Sequence, residues 1–195
     1  MKLVLASKNK GKLKEMQAIL EELGAEVVLQ SELGIDVDVD ETGTTFAENA
    51  FLKAEAVCKA SGMAAIADDS GLCVDALQGA PGVYTARYGG EGLDDAGRYR
   101  LLLNNMKGLS PRNCHFATAI ACVFPDGTVL RAEGECHGTV AYAPMGTDGF
   151  GYDPIFFVPN LKKTFAQLTA EEKNAISHRG KALEVFKEKL EEYLK

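Results

Sequence analysis

The first 29 residues constrain the fold more than any other feature, because a strand, a polar loop, a helix and a second strand follow one another there. Residues 2–7 and 25–29 are apolar segments of strand length, and Gly24 ends the helix between them. The helical segment, residues 11–23, repeats apolar side chains at a spacing of three to four residues: Leu13, Met16, Ile19, Leu20 and Leu23. This order of elements favours an α/β fold.

Three further helices are predicted: over residues 46–60, which Gly62 closes, over 95–106, and over 177–194, where apolar side chains form one face. Thr45 and Glu48 have the spacing of a capping box at the start of the first of these. Helices are thus expected along the whole chain.

The strand signals are of two kinds. Residues 64–67 form a short apolar strand that ends at Asp68, and residues 35–41 alternate acidic and apolar side chains as an edge strand does. Residues 114–124 and 128–142 form a hairpin around an Asp-Gly turn. We therefore expect an α/β fold with an elongated mixed sheet and flanking helices.

Composition and charge argue against several classes of protein. The formal net charge is −7, whereas a general polynucleotide binder carries a basic surface, so no nucleic-acid partner is expected. No apolar run approaches the roughly 20 residues that span a bilayer, so no membrane is expected either. The five cysteines include no C-x-x-C pair, which is typical of buried thiols in a reducing compartment such as the cytoplasm. The length fits one domain over residues 1–195, without a separable linker.

The loop between the first strand and the first helix is the first candidate site, with the sequence Ser7-Lys8-Asn9-Lys10-Gly11-Lys12. Free backbone N–H groups and the helix dipole favour an anion at such a loop. Ser7 and Asn9 offer side-chain donors, and Lys12 brings a compact positive charge. The P-loop spacing is absent. A lysine-rich turn that is merely solvated is the alternative, and this segment alone leaves both open.

Two adjacent carboxylates, Asp68 and Asp69, are the second candidate. They repel each other unless a cation or hydrogen-bond donors offset their charge, and Mg²⁺ takes one or two carboxylates together with substrate phosphates. A turn capped by Ser70 is the alternative, although one aspartate suffices for a turn. Glu41 precedes a glycine-containing loop and can reach a metal beside Asp69, whereas Lys53 has the pattern of a surface lysine.

Aromatic and basic residues towards the C-terminus are the third candidate. The segment Gly149-Phe150-Gly151-Tyr152-Asp153-Pro154 can present two rings to a nucleobase and a carboxylate to its ring nitrogens. An aromatic-anchored turn is the alternative. Lys173, His178 and Arg179 lie near a helix start and can bind phosphate or a base carbonyl, or are ordinary surface charges. In combination, the three candidates supply what is needed to hold a base, a triphosphate and a metal.

These segments together resemble the inosine/xanthosine triphosphate pyrophosphatase family, which acts on non-standard purine nucleotides. The resemblance runs in order through nearly the whole chain, over residues 7–12, 41–43, 45–50, 53, 67–72, 79–88, 149–154 and 177–179. Thr85 departs from the serine that is usual in the family, but it keeps the hydroxyl group.

The resemblance implies a homodimer of α/β subunits, each with a nucleotide-binding cleft between two lobes. It also implies Mg²⁺-dependent hydrolysis of inosine, deoxyinosine or xanthosine triphosphate to the monophosphate and pyrophosphate. By position, residues 7–12 and Lys53 hold the phosphates, Ser70 contacts the substrate, and Glu41 and Asp69 hold Mg²⁺, with Asp69 as the general base. The residues implied to surround the nucleotide are Phe150, Gly151, Tyr152, Asp153, Lys173, His178 and Arg179.

Two alternatives remain. One is a related pyrophosphatase for modified pyrimidine or methylated nucleotides, against which the glycine-aromatic and Ser-His-Arg segments argue. The other is a nucleotide-sensing or RNA-binding module without turnover, against which the negative net charge and the paired aspartates argue.

Overall fold

The chain opens with two parallel strands, β1 (Lys2–Leu5) and β2 (Glu26–Leu29), in a computed structural model that describes residues 1–195. Parallel neighbours need a crossover, and helix α1 (Lys10–Leu20) supplies it. A turn of 3₁₀ helix follows α1 and ends at Gly24, whose φ of 65° is left-handed. The predicted strand–helix–strand opening is confirmed.

One sheet contains seven strands in the order β2-β1-β3-β4-β5-β6-β7. The remaining bounds are β3 (Ala65–Val74), β4 (Asn113–Val123), β5 (Val129–Val140), β6 (Phe156–Val158) and β7 (Lys163–Thr164). Strand β1 is parallel to β2 and β3, with Leu5 opposite Leu29 and Ile66, whereas β6 is antiparallel to β5 and β7. The mixed sheet of the predicted α/β fold is therefore confirmed, and β4 and β5 are the predicted neighbours around the Asp-Gly turn.

Four more α-helices follow α1: α2 (Phe46–Ser61), α3 (Asp95–Asn105), α4 (Ala170–Ile176) and α5 (His178–Tyr193). Short 3₁₀ segments lie at Glu21–Leu23, Gln30–Leu33, Asp75–Leu77, Gly82–Arg87, Asp153–Ile155 and Phe165–Gln167. Helix α2 begins where its cap predicts, because the Thr45 hydroxyl accepts the Glu48 N–H at 3.1 Å. The Glu48 carboxylate turns back to Thr44 rather than to Thr45.

Two strand predictions are wrong. Strand β3 does not end at Asp68 but continues to Val74, because basic side chains compensate the charges of Asp68 and Asp69 and let the extended backbone run on. Residues 35–41 form no strand. The Gln30 side-chain amide donates to the carbonyls of Ile35 and Val37 instead. These backbone groups therefore have a side chain, and not a neighbouring strand, as their hydrogen-bond partner.

The chain forms two compact units. The first comprises Met1–Asp69, Thr118–Gly134 and His178–Lys195, and the second comprises Ser70–Ala117 and Glu135–Ser177. The division falls inside β3, β4 and β5 and between α4 and α5. That the whole chain acts as one domain stays a prediction.

Each unit has its own apolar core. In the first unit, α1 and α5 pack on the sheet through residues such as Met16, Leu183 and Phe186, and α2 packs through small side chains. In the second unit, the rings of Phe116, Phe156 and Phe165 contact one another at centroid distances of 4.5–5.7 Å. All five cysteines are free thiols, and no helix is both long enough and apolar enough to cross a membrane.

Candidate active site

Asp68 is the centre of a buried ion network in the first unit. Its side chain has no exposed surface, and its Oδ1 lies 3.0 Å from the Lys12 ammonium. Its Oδ2 accepts two hydrogen bonds from Arg179, from Nε at 3.0 Å and from Nη2 at 2.9 Å. Arg179 also donates to Glu15 on α1. Burial raises the pKa of Asp68, but Lys12 and Arg179 outweigh burial and hold the pKa far below its usual range, so the carboxylate is ionised.

Lys53 joins the two acidic residues for which a metal role was predicted. Its ammonium lies 3.3 Å from Asp69 Oδ1 and 3.4 Å from Glu41 Oε1, and it donates to the Asp68 carbonyl at 2.9 Å. Burial lowers the pKa of Lys53, but the surrounding carboxylates, Asp69 first, raise it above its ordinary value. Lys53 is therefore a charged, largely buried group and not the surface lysine that its local pattern indicated.

Asp69 is also largely buried, and burial raises its pKa. Lys53 lowers that pKa and Glu41 raises it, and the net result lies above the ordinary value of an aspartate. Its Oδ2 accepts a hydrogen bond from the Asn49 side chain at 3.2 Å, and the Thr118 hydroxyl donates to its carbonyl at 3.3 Å. Asn49 lies in the segment 45–50 that carries the family resemblance but was given no role from sequence, and Thr118 was not predicted.

The loop at residues 7–12 is organised by its own side chains. Asn9 caps α1, because its Oδ1 accepts the N–H groups of Gly11 at 2.8 Å and Lys12 at 3.1 Å. Ser7 Oγ accepts the Asn9 N–H at 3.0 Å. Ser7 and Asn9, which were expected to donate to an anion, therefore also accept hydrogen bonds from backbone N–H groups of the loop. Lys8 and Lys10 are exposed, whereas Lys12 turns inward to Asp68.

The remaining candidates of the first unit lie on α5, and Ser70 belongs to the second. His178, the first residue of α5, is only 4% exposed and directly precedes Arg179. Ser70 lies within β3, half-buried, directly after Asp69. The structure thus brings Lys12, Arg179 and Asp68 into one cluster and Glu41, Lys53 and Asp69 into an adjoining one.

In the second unit, Lys173 and Asp153 form a buried pair with Nζ 2.6 Å from Oδ2. Asp153 Oδ2 also accepts the N–H of Phe150 at 3.2 Å. The Lys173 ammonium lies 4.7 Å from the centroid of the Phe150 ring, a cation–π distance. A Cβ on Gly149 would collide with the Asp153 carboxylate, so a glycine is required there.

The two other residues of this loop have structural contacts. The Gly151 N–H donates to Asp95 at 2.8 Å. The Tyr152 hydroxyl donates to the Thr85 carbonyl at 2.7 Å, and its ring is 4% exposed in the core of the second unit. The ring of Tyr152 thus packs in a core, whereas Phe150 is only half-buried, and the contact of both residues with a base stays a prediction.

The first unit also offers ligands that fit Mg²⁺. No group of three or more His, Cys, Asp or Glu side chains can hold a metal unaided. One oxygen of Glu41 and one of Asp69 nevertheless face the same cation, the Lys53 ammonium. The two carboxylates are therefore close enough to bind a metal ion together. Two carboxylates are a typical protein contribution for Mg²⁺, because this ion keeps several waters and binds substrate phosphates as well.

An α/β fold whose sheet carries paired carboxylates beside buried lysines is typical of enzymes that act on phosphate anhydrides. Comparison with known proteins agrees. The model of the Ham1 family matches residues 3–189. A dITP/XTP pyrophosphatase of Streptomyces coelicolor is 51% identical over 188 residues, which cover 93% of this chain and 92% of that protein.

Solved structures give the same result. The Ham1 protein of Staphylococcus aureus is 44% identical with a TM-score of 0.87, covering 99% of this chain and 100% of that one. A HAM1 protein from Coxiella burnetii is 43% identical with a TM-score of 0.89, covering 98% and 99%. The chain belongs to the Ham1 family, and the predicted resemblance and enzyme class are confirmed.

Proposed function

We propose that the chain hydrolyses the triphosphates of inosine, deoxyinosine and xanthosine to nucleoside monophosphate and pyrophosphate, with Mg²⁺ as the cofactor. The observation that carries the proposal is the convergence of Glu41, Lys53 and Asp69 in the first unit, with Lys12 next to Asp68. Carboxylates for a divalent cation and ammonium groups for phosphate oxygens are what phosphoryl transfer requires. The choice of purine is supported by relatives known as dITP/XTP pyrophosphatases, such as that of Streptomyces coelicolor.

Asp69 is the general base in this proposal. Its carboxylate, held between Asn49 and Lys53, can accept a proton from an attacking water. A bond forms between the water oxygen and the α-phosphorus, and the bond from this phosphorus to the bridging oxygen breaks. Pyrophosphate carries away the electron pair. Glu41 and Asp69 would hold Mg²⁺, which when bound neutralises charge on the phosphoryl oxygens.

Residues 7–12 and Lys53 hold the phosphates, Ser70 contacts the substrate, and the base is recognised by Lys173, His178, Arg179 and residues 150–153. Lys173 is the donor that we assign to the carbonyl at C6 of hypoxanthine and xanthine, since its ammonium lies beside the Phe150 ring. Adenine carries an amino group at this position and would leave the donor without a partner, which costs affinity.

Replacement of Lys12 by alanine tests phosphate binding. We expect the KM for inosine triphosphate to rise about 10–100-fold, because a charge-assisted hydrogen bond is lost. Inosine binding, measured by calorimetry, should change much less. Lys14→Ala is the matched control, since Lys14 is an exposed lysine on the same helix. Equal weakening of nucleoside and triphosphate would show that Lys12 does not contact phosphate.

Product analysis tests the function as a whole. The triphosphates of inosine, deoxyinosine, xanthosine, adenosine and guanosine are incubated with the protein, with Mg²⁺ or with chelator. Monophosphate and pyrophosphate from the first three, abolished by chelator, is the expected result. Diphosphate and orthophosphate would contradict the mechanism. Turnover of pyrimidine nucleotides alone would contradict the purine assignment.

The assembly and the compartment are part of the proposal. We expect a homodimer, on the family resemblance, and sedimentation velocity measures it directly. The five free thiols support a reducing compartment, for which we propose the cytoplasm.

A further inference from the structure

Asn49 is a polar residue among the fully buried side chains of α2, which are otherwise small or apolar. It lies in the first two turns of α2 and has no exposed surface. Its neighbours on the buried side of the helix are Ala50, Ala54 and Val57, which pack in an apolar cluster. A buried amide destabilises a fold unless its polar atoms are paired, so an alanine or leucine would suit packing alone better.

Both polar atoms of the Asn49 amide are paired. The N–H of Gly43 lies 2.8 Å from Oδ1, and Nδ2 lies 3.2 Å from Asp69 Oδ2. A backbone N–H can only donate, so the atom that faces Gly43 must be the acceptor Oδ1. The amide must then direct its Nδ2 donor at Asp69, and the orientation of the whole side chain is determined.

The hydrogen bond from Asn49 Nδ2 determines which oxygen of Asp69 faces which partner. Asn49 engages Oδ2, whereas Oδ1 faces the Lys53 ammonium at 3.3 Å. Asn49 and Lys53 are one helical turn apart on α2, so a single rigid element contacts both oxygens of the carboxylate. Rotation of the Asp69 carboxylate would break both contacts.

The hydrogen bond that Asn49 Oδ1 accepts from Gly43 holds the segment that bears Glu41. Gly43 is two residues beyond Glu41, and its N–H is anchored to Asn49. The approach is close, because a Cβ on Gly43 would lie 2.5 Å from Asn49 Oδ1 and 2.7 Å from Glu48 Cβ. Only glycine lets this segment pack so tightly against α2.

We propose that Asn49 is a positioning residue, which sets the Asp69 carboxylate and the Glu41 segment in a fixed mutual geometry through one amide. The inference rests on the proposed function, since it concerns the two acidic residues assigned to the divalent cation. Asn49 acts through its two hydrogen-bond partners, Asp69 and Gly43.

The test compares Asn49→Ala with Gln17→Ala. Gln17 is a matched control in the same unit, because its amide also accepts one backbone N–H, that of Val27 at 2.7 Å, and donates once, to the Ala25 carbonyl at 3.3 Å. Both variants lose a bridging amide, but only Asn49 contacts Asp69. Thermal unfolding reports the structural cost of each.

Two readouts distinguish positioning from stability. Mn²⁺ binding to the protein without nucleotide is measured by electron paramagnetic resonance, and kcat and KM are measured with inosine triphosphate and Mg²⁺. For Asn49→Ala, we expect the Mn²⁺ Kd to rise and kcat to fall, each about 10–100-fold, with little change in KM. For Gln17→Ala, we expect wild-type Mn²⁺ affinity and kcat even where the Tm falls.

Gly43→Ala is the second variant, and it keeps Asn49 and the whole of α2. Its Cβ displaces the Glu41 segment, so it should weaken Mn²⁺ binding in the same way, and the double variant should be little worse than either single one. Wild-type Mn²⁺ affinity and kcat in Asn49→Ala, or equal losses in Gln17→Ala, would overturn the inference alone. A wild-type protein that neither binds Mn²⁺ nor releases pyrophosphate would overturn the proposed function, and the inference with it.

Discussion

Replacing Asp69 by asparagine is expected to lower kcat by roughly 10²–10⁴-fold, because the variant keeps the side-chain volume but loses the proton acceptor. The same change removes one of the two carboxylates assigned to Mg²⁺. Lys53 retains Glu41 and the Asp68 carbonyl as partners, so the fold should survive. Pyrophosphate release under single-turnover conditions measures the effect, and circular dichroism checks the fold.

Asp40→Asn is the matched control for this loss of charge. Asp40 directly precedes Glu41, is exposed, and is assigned no role in the site. It should retain wild-type kcat. A folded Asp69→Asn protein with near-normal turnover would refute the assignment of Asp69 as the general base. An equal loss of kcat in both variants would show that the loss comes from the change in net charge and not from Asp69 itself.

The largest expected effect on stability comes from Asp68. Asp68→Asn removes the charge that compensates Lys12 and Arg179, both of which are largely buried. Breaking a buried ion network from one side typically costs about 3–5 kcal/mol, because uncompensated charge stays in the interior. For a chain of this size, we expect the Tm to fall by roughly 6–20 °C, measured by calorimetry at neutral pH.

The pH dependence follows from the depressed pKa of Asp68 in the folded protein. Between the ordinary aspartate pKa of about 3.9 and the much lower folded value, the unfolded chain binds the proton and the folded chain does not. The stabilisation is therefore complete above this window and is lost as the pH falls through it. The gap in Tm between wild type and Asp68→Asn should stay constant from pH 8 to about pH 5 and narrow below about pH 4.

An exposed aspartate serves as the comparison. Asp126 also has a lowered pKa, mainly from a backbone hydrogen bond with Thr128, but it lies in the exposed hairpin turn. Asp126→Asn should change the Tm little, because solvent screens exposed charges. An unchanged Tm in Asp68→Asn would show that the buried network contributes no net stability.

Asp68 and Asp69 have different roles although they are neighbours in strand β3. Asp68 accepts from Arg179 and lies close to Lys12, and its pKa falls, whereas Asp69 faces Lys53 and Glu41, and its pKa rises. One carboxylate is thereby kept ionised and structural, and the other is more basic. Environments that separate two neighbouring pKa values are a recurrent feature of enzyme sites.

Local signals predicted most of the secondary structure. Thr45 and Gly62 delimit α2, Gly24 ends the first helical segment, and the Asp-Gly turn separates β4 from β5, because caps and turns depend on a few adjacent residues. Signals that depend on distant partners failed. Asp68 and Asp69 predicted a strand end, but residues from α1, α2 and α5 compensate their charges.

The site divides in the same way. The family and the candidate residues were predictable from sequence, because motifs that follow in order along one chain are recognisable without coordinates. Asn49 belongs to the family motif, but its role was missed, although an amide among the apolar residues of a helix one turn before Lys53 was a usable signal. Three features became visible only in the folded chain: Lys53 is buried between carboxylates, Tyr152 packs in a core, and Arg179 pairs with Asp68. Burial and pairing arise between elements that are far apart in the chain, and local spacing carries no information about them.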